Sequence, residues 1–196
     1  MFNGLLIFLP SFTILFACIL AEELSEKTIK NVLPYNISKF KFFFGKFFVQ
    51  IIFLIFTYLI FLLGFILSLK LCSENDISIW NDVMVTCKMF FAAIPSYISS
   101  LALINLLIVI FKKDTLVYMI YLTFFLPFPL LITALSTYLP SWFENIQKYI
   151  FLMGISQLSS SAITQSSLTF AIINGLAYTF IFSLVAYLIF SKQEIK

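Results

Sequence analysis

Long apolar segments constrain the fold of this chain more than any other feature. Five segments have about 20 mostly apolar residues, the length that a helix needs to cross a bilayer, and none carries a charge at its centre. They lie at about 2–21, 47–69, 89–111, 116–135 and 169–190. Because a bilayer core offers no water to the backbone, each spanning segment must satisfy its own hydrogen bonds as a helix. We therefore predict an all-α integral membrane protein, with about five transmembrane helices in a single domain over 1–196.

The composition fits a lipid environment and excludes a water-soluble enzyme or a nucleic-acid-binding module. Of the 196 residues, 62% are hydrophobic and 11% are charged, whereas a soluble domain has roughly 45–50% apolar and about 25% charged residues. The chain also contains no histidine, which is the commonest metal ligand and the usual proton carrier near neutral pH. We expect neither a metal site nor a cofactor.

The lysines are distributed unequally between the two sides of the predicted bundle. Nine of the twelve lie in the connection 22–46, in the turn 112–115 and in the C-terminal tail. Cytoplasmic loops of membrane proteins carry the excess of basic residues. The lysines therefore place the loop 22–46 and the C-terminus in the cytoplasm, and the N-terminus outside. In the outer loop 136–168, the apolar stretch 149–158 is too short to span and predicts a re-entrant or interfacial helix.

The loop 22–46, named the elbow below, has the pattern of an amphipathic connection. Residues 24–33 can form a short helix that ends at Pro34. Ser38 is a candidate N-cap for a second, phenylalanine-rich helix in the membrane interface. The residues of its apolar face are Phe40, Phe43, Phe44 and Phe47. Two functions fit this pattern: an anchor held by lysines on anionic lipid, or a lever that docks on a soluble partner and moves the adjoining spans.

The residues of the elbow also resemble the signature loop of ABC-2 type transporter permeases. That loop has an acidic residue followed by an apolar one, a polar residue with Thr, an Ile-Lys-Asn-Leu-like run, a Ser-Lys step and a Gly-Lys pair before the next span. The corresponding residues here are Glu23, Leu24, Lys27, Thr28, the run 29–33, Ser38 with Lys39, and Gly45 with Lys46. The loop is most similar to that of the bacitracin-resistance and lantibiotic-immunity branch.

This resemblance implies a membrane subunit of an ATP-driven exporter. Its partners would be two copies of a separate ABC ATPase, a second permease that is identical or a sister chain, and membrane lipid. The elbow would be the element on which the ATPase acts. Its candidate residues are Glu22, Glu23, Glu26, Thr28, Lys39, Gly45 and Lys46. The three acidic residues would meet basic residues of the ATPase, Thr28 would cap or fix the elbow, and Lys39 and Lys46 would lie at the level of the lipid headgroups.

An ATP site within the chain is not expected. A phosphate-binding P-loop requires the pattern G-x-x-x-x-G-K-[ST], whereas Phe40 and Phe47 stand where the first Gly and the Ser or Thr would be. Gly45 and Lys46 are therefore not a P-loop. Any ATP hydrolysis requires another chain.

Several polar or bend-forming residues inside or beside the spans have two interpretations. Gln50 and Asn105 would be interhelical hydrogen-bonding amides or substrate contacts. Pro95 would be ordinary bundle geometry or a hinge. Cys72 and Cys87 both fall on the outer side, where a disulfide is an option.

Three hypotheses follow for the function. The first is the ABC-2 permease, with an amphiphilic or antimicrobial-peptide-like cargo. The second is a stand-alone immunity or sensor protein that binds a peptide without an ATPase. The third is an inactive permease truncated at its N-terminus, because members of the resembled family have the signature loop after their second span, whereas here it follows the first.

Overall fold

A computed structural model describes most of the bundle. The residues described are 13–25, 38–72, 76–125, 127, 131–132, 134–135, 138, 149–150, 158 and 165–193. The helices are α1 (Thr13–Ser25), α2 (Lys39–Cys72), α3 (Asp76–Phe111), α4 (Asp114–Ile120), which continues into a π-helical turn (Tyr121–Phe125), and α5 (Gln165–Lys192). Within these residues there is no β-strand.

Three of the described helices are long and apolar enough to cross a membrane. Their candidate spans are Lys39–Ser68, Val83–Phe111 and Gln165–Lys192. At 1.5 Å per residue each is about 42–45 Å long, which exceeds the roughly 30 Å hydrocarbon core of a bilayer. The predicted fold class, an all-α membrane protein, is confirmed.

Helix α3 lies at the centre of the packing. It contacts α1, α2, α4 and α5, and 67% of its spanning window is buried, against 17% for α2 and for α5. The buried residues on α3 include small ones, such as Ala92, Ala93 and Ala102, which allow neighbouring backbones to come close. In contrast, α2 and α5 expose large apolar side chains over much of their length, as surfaces in contact with lipid do.

Helix α2 begins earlier than the predicted second span and is continuous. The Ser38 hydroxyl accepts a hydrogen bond from the Lys41 N–H at 3.3 Å, so Ser38 is the N-cap that the sequence predicts. No break separates the phenylalanine-rich turns from the span, because this stretch contains no proline and a single exposed glycine, Gly45, does not stop a helix. The residues 39–46 are thus the first turns of α2 rather than a separate interfacial helix.

The remaining predicted segments are described only in part. Helix α3 begins at Asp76, well before the predicted span 89–111. Within the predicted span 116–135, α4 and its π-helical turn reach Phe125. Residues 2–12 of the first predicted span lie outside the described residues, and so does most of the outer loop 136–168. Within the predicted re-entrant stretch 149–158, the structure describes Tyr149, Ile150 and Leu158.

Candidate functional site

The N-terminus of α2 and the C-termini of α3 and α5 meet at one end of the bundle, called the Lys39 end below. The elbow joins α2 at this end, since α2 begins at Lys39. The lysines in the first turn of α2, after α3 and at the end of α5 also lie here. They are Lys39, Lys41, Lys112, Lys113 and Lys192. Lys70 and Lys88 lie toward the opposite ends of α2 and α3.

Lys39 connects the start of α2 to the end of α5. Its half-buried ammonium group donates hydrogen bonds to the backbone carbonyls of Ser191 and Gln193, each at 2.8 Å. The last carbonyls of a helix have no partner within the helix, and the C-terminal end of a helix favours a positive charge. Lys39 meets both requirements for α5, although it is 152 residues away from Ser191 in the chain.

Gln193 connects the end of α5 to the end of α3. Its side-chain amide donates a hydrogen bond to the Val109 carbonyl at 2.8 Å. Val109 is among the last four residues of α3, which ends at Phe111, so its carbonyl belongs to the group that needs a partner from outside the helix. Two side chains thus join the ends of three helices.

Aromatic rings pack beneath these hydrogen bonds. Phe43 lies 5.7 Å from Phe190 and Phe42 lies 6.0 Å from Phe190, between ring centroids. Phe40 meets Tyr187 edge to face at 5.4 Å, an arrangement that aromatic pairs favour. Part of the phenylalanine-rich face predicted from the sequence therefore packs against α5, while Phe40 stays 53% exposed.

The structure describes some of the other predicted elbow residues and not others. Glu22 and Glu23 lie in the last turns of α1, which ends at Ser25, and Glu26 and Thr28 lie outside the described residues. Gly45 is exposed on α2, and a Cβ added there would meet no atom within 4 Å. Lys46 is half-buried on the same helix. Within this set, Lys39 makes hydrogen bonds to the end of α5.

A reciprocal amide pair lies in the interior between α2 and α3. The Asn105 amide donates to the Gln50 side-chain oxygen at 2.6 Å, and the Gln50 amide donates to the Asn105 oxygen at 3.3 Å. Gln50 is 0% and Asn105 is 1% exposed. The interpretation of these residues as interhelical hydrogen-bonding amides is confirmed, and each is the partner of the other.

A group of tyrosines lies in the same interior. The rings of Tyr58 and Tyr97 are 4.4 Å apart, and the Tyr121 hydroxyl is hydrogen-bonded with the side chains of Ser100 and Thr13. The Tyr97 hydroxyl is buried and makes no hydrogen bond within the described part of the chain. No sequence pattern distinguishes these buried tyrosines from the tyrosines that membrane proteins carry at their interfaces.

Helices α3 and α5 come closest where Pro95 faces Gly175. A Cβ at position 175 would lie 2.6 Å from the Pro95 carbonyl carbon and from the Ser96 nitrogen. Next to it, the Thr179 hydroxyl donates to the Gly175 carbonyl at 2.8 Å and lies 3.4 Å from the Pro95 carbonyl oxygen. Pro95 is therefore part of a tight helix crossing. In the sequence, this crossing is indicated by Gly175, a small residue in a span of mostly bulky residues.

The opposite end of the bundle carries a shallow cleft between α3 and α5. Val85, Lys88, Gln165 and Leu168 line it. Cys87 near this end is a free thiol, and the side chain of Cys72 lies outside the described part of the chain. Among the residues that the structure describes, no three His, Cys, Asp or Glu side chains are grouped so as to hold a metal ion.

The long apolar helices around α3 define a multi-pass membrane protein. Residues 1–130 match a protein family described as ABC-2 family transporter protein. Since this match covers more than half of the chain, the protein belongs to the ABC-2 transporter family. The matched segment includes the elbow and helices α1 to α4, whereas α5 follows it in the chain. The comparisons with curated proteins and with solved structures each find no match.

Proposed function

We propose that this protein is the membrane-spanning permease subunit of an ABC exporter and that a separate ATPase drives it through the elbow 22–46. The observation that carries the proposal is the family match, because it includes the whole elbow and the helices that adjoin it. The functional unit would contain two ATPase copies and a second permease, either identical or a sister chain.

The distribution of lysines supports a cytoplasmic location for the Lys39 end. Lys41, Lys112, Lys113 and Lys192 are exposed there, and basic residues accumulate on the cytoplasmic side of membrane proteins. In this orientation the elbow and the C-terminus face the compartment that supplies ATP. The lysines would also attract anionic lipid headgroups.

The acidic residues of the elbow are suited to a charged partner surface. Glu22, Glu23 and Glu26 follow one another closely, and the first two lie in the last turns of α1. Basic residues on an ATPase would complement them, and such complementarity contributes to the choice of partner and to the association rate. Thr28 would fix the elbow, and the exposed surface around Gly45 leaves room for a partner's side chains.

The cargo we propose is amphiphilic or peptidic, as in the antimicrobial-peptide resistance and immunity branch that the elbow resembles. The apolar exposed faces of α2 and α5 fit a substrate that is taken from the bilayer. Export is the direction that the family resemblance favours.

The test is a charge reversal in the elbow. Glu23→Lys combined with Thr28→Ala should reduce both co-purification of an ABC ATPase, identified by mass spectrometry, and the ATP turnover of the purified assembly. The matched control is Glu74→Lys, which makes the same charge change in the connection between α2 and α3, on the side predicted to be outside. This control should keep both the ATPase and its turnover.

Two results would contradict the proposal. If the elbow variant retained the ATPase and full ATP turnover, the elbow would not be the coupling element. If cells that lack the ATPase remained protected against a peptide by this chain alone, the chain would act as a stand-alone immunity protein.

A further inference from the structure

We propose that Lys39 and Gln193 form a clasp that makes the ends of α2, α3 and α5 move together when the elbow is displaced. This inference rests on the proposed function, in which the elbow receives force from an ATPase. Both side chains would be positioning residues of the transport cycle. Neither would contact the cargo or the nucleotide.

The hydrogen bonds of the clasp join helices through groups that are otherwise without a helical partner. Ser191 and Gln193 provide carbonyls at the end of α5, and Val109 provides one near the end of α3. Because the helix ends leave these carbonyls unpaired, a bond from another helix replaces water rather than an existing backbone bond. The Lys39 bonds are charge-assisted, which makes them roughly twice as strong as neutral ones.

The position of Lys39 in the chain makes it the residue through which elbow motion reaches α5. It is the first residue of α2 and directly follows Ser38, the N-cap at which the elbow enters this helix. At this end of the bundle, the start of α2 otherwise meets α5 through aromatic packing. Ring contacts tolerate small relative shifts of two helices better than short hydrogen bonds do, and the Lys39 bonds of 2.8 Å define one register.

Gln193 extends the connection from α5 to α3, the most buried of the long helices. Its amide reaches the Val109 carbonyl, and Val109 is itself 0% exposed. A displacement that begins at residue 38 would thereby reach the central helix at the same end of the bundle. The three ends would then move as one unit, which is the behaviour that a lever requires.

Substitutions of Lys39 separate the clasp from general packing. Lys39→Met retains the aliphatic length but removes the donors, and Lys39→Arg retains a cation with several donors. The matched control is Lys41→Met, since Lys41 is an exposed lysine on the same turn whose side chain makes no hydrogen bond or ion pair with the described residues. Gln193→Leu removes the second half of the clasp.

The first measurement uses the full chain alone, in lipid nanodiscs. Spin labels are attached at Phe48→Cys and Leu188→Cys, two exposed positions on α2 and α5, in a background without the native cysteines. We expect pulsed electron–electron double resonance to give a narrow distribution of distances between the two labels. This distribution should broaden in Lys39→Met. The distribution should remain narrow in Lys39→Arg and in Lys41→Met.

The second measurement uses the assembly with its ATPase. Lys39→Met and Gln193→Leu should keep the ATPase bound but lower the ATP turnover of the assembly severalfold. Lys39→Arg should restore the turnover, which a loss of stability alone would not explain. The clasp would be refuted if Lys39→Met left both the distance distribution and the turnover unchanged. If the distribution broadened while no variant, including the elbow charge reversal, affected an ATPase, the proposed function would be wrong instead.

Discussion

Tyr97 places a hydroxyl in the core of the bundle without a hydrogen bond from the described residues. A buried polar group that lacks a partner costs about 1–3 kcal/mol. We therefore expect Tyr97→Phe to raise the free energy of unfolding by about 1 kcal/mol. Chemical denaturation of the protein in detergent micelles measures the change.

Tyr121→Phe is the matched control, because it deletes a hydroxyl that is hydrogen-bonded with Ser100 and Thr13. Removing that hydroxyl leaves buried partners behind, so this variant should unfold more easily than the wild type. Equal destabilisation by the two substitutions would mean that the Tyr97 hydroxyl has a stabilising partner.

The Gln50 and Asn105 pair should behave as a unit. Replacing either amide by leucine leaves the other buried without its partner, so each single variant should lose about 1–2 kcal/mol of unfolding free energy. The double variant should lose less than the sum, with a coupling of about 0.6 kcal/mol or more. A double-mutant cycle by denaturation measures this coupling. Strict additivity would show that the two amides do not stabilise each other.

The two amides stand out in the sequence, but their pairing does not. A strongly polar side chain in an apolar span is visible in the sequence, since it has a high cost in lipid and needs a partner. Which partner it meets depends on the register between two helices. Asn105 lies 55 residues from Gln50, and no local pattern encodes that register. The Tyr97 hydroxyl is also invisible to sequence reasoning, because its lack of a partner depends on its neighbours.

At the scale of helices, Gly175 determines how closely α5 approaches α3. Gly175→Ala would place a methyl group 2.6 Å from backbone atoms of Pro95 and Ser96, and backbone cannot move aside as a flexible side chain does. We expect this variant to lose about 1–3 kcal/mol of unfolding free energy through overpacking. Thermal unfolding in detergent, followed by circular dichroism, measures the loss.

Gly64→Ala is the control for this substitution. Gly64 is also helical, but an added Cβ would meet no atom within 4 Å. Because alanine is the better helix former by about 1 kcal/mol, this variant should be neutral or slightly stabilised. A similar loss in both variants would indicate a general effect of alanine rather than a close crossing.

The long helices could be predicted from the sequence, whereas the residues at which they begin and end were harder to predict. The apolar runs place 47–69 and 169–190 within α2 and α5. The start of α2 depends on the Ser38 cap, and its continuity past Lys46 on the absence of a breaker. Between α3 and α4, Lys112 adopts a left-handed conformation with a φ of 54°. Glycine is the residue that usually indicates such a conformation in a sequence, so a lysine here does not predict it.

At the scale of the whole molecule, the lysine distribution predicts which end of the bundle is cytoplasmic. Lys113 and Lys88 are exposed toward opposite ends. In intact cells without native cysteines in the protein, a membrane-impermeant maleimide should label Lys88→Cys but not Lys113→Cys. Labelling of Lys113→Cys should require permeabilisation, because the positive-inside rule predicts a cytoplasmic position for it.

The reverse labelling pattern would overturn this orientation and the proposed site of ATPase docking. Labelling both variants with a permeant maleimide in the same cells is the control that each thiol is reactive.

The sequence by itself determined the class of this protein. A long uncharged apolar run is stable in lipid as a helix, because unpaired backbone N–H and C=O groups have a high free-energy cost there. This constraint acts on each run separately, so it can be read from the local sequence. The elbow residues likewise indicated the family, since a loop signature is contiguous in the chain. The tertiary structure alone decided that Lys39 contacts α5, that Gln193 reaches α3 and that Gly175 faces Pro95. These contacts join residues 80 or more positions apart, and they depend on how whole helices pack, which no local pattern specifies.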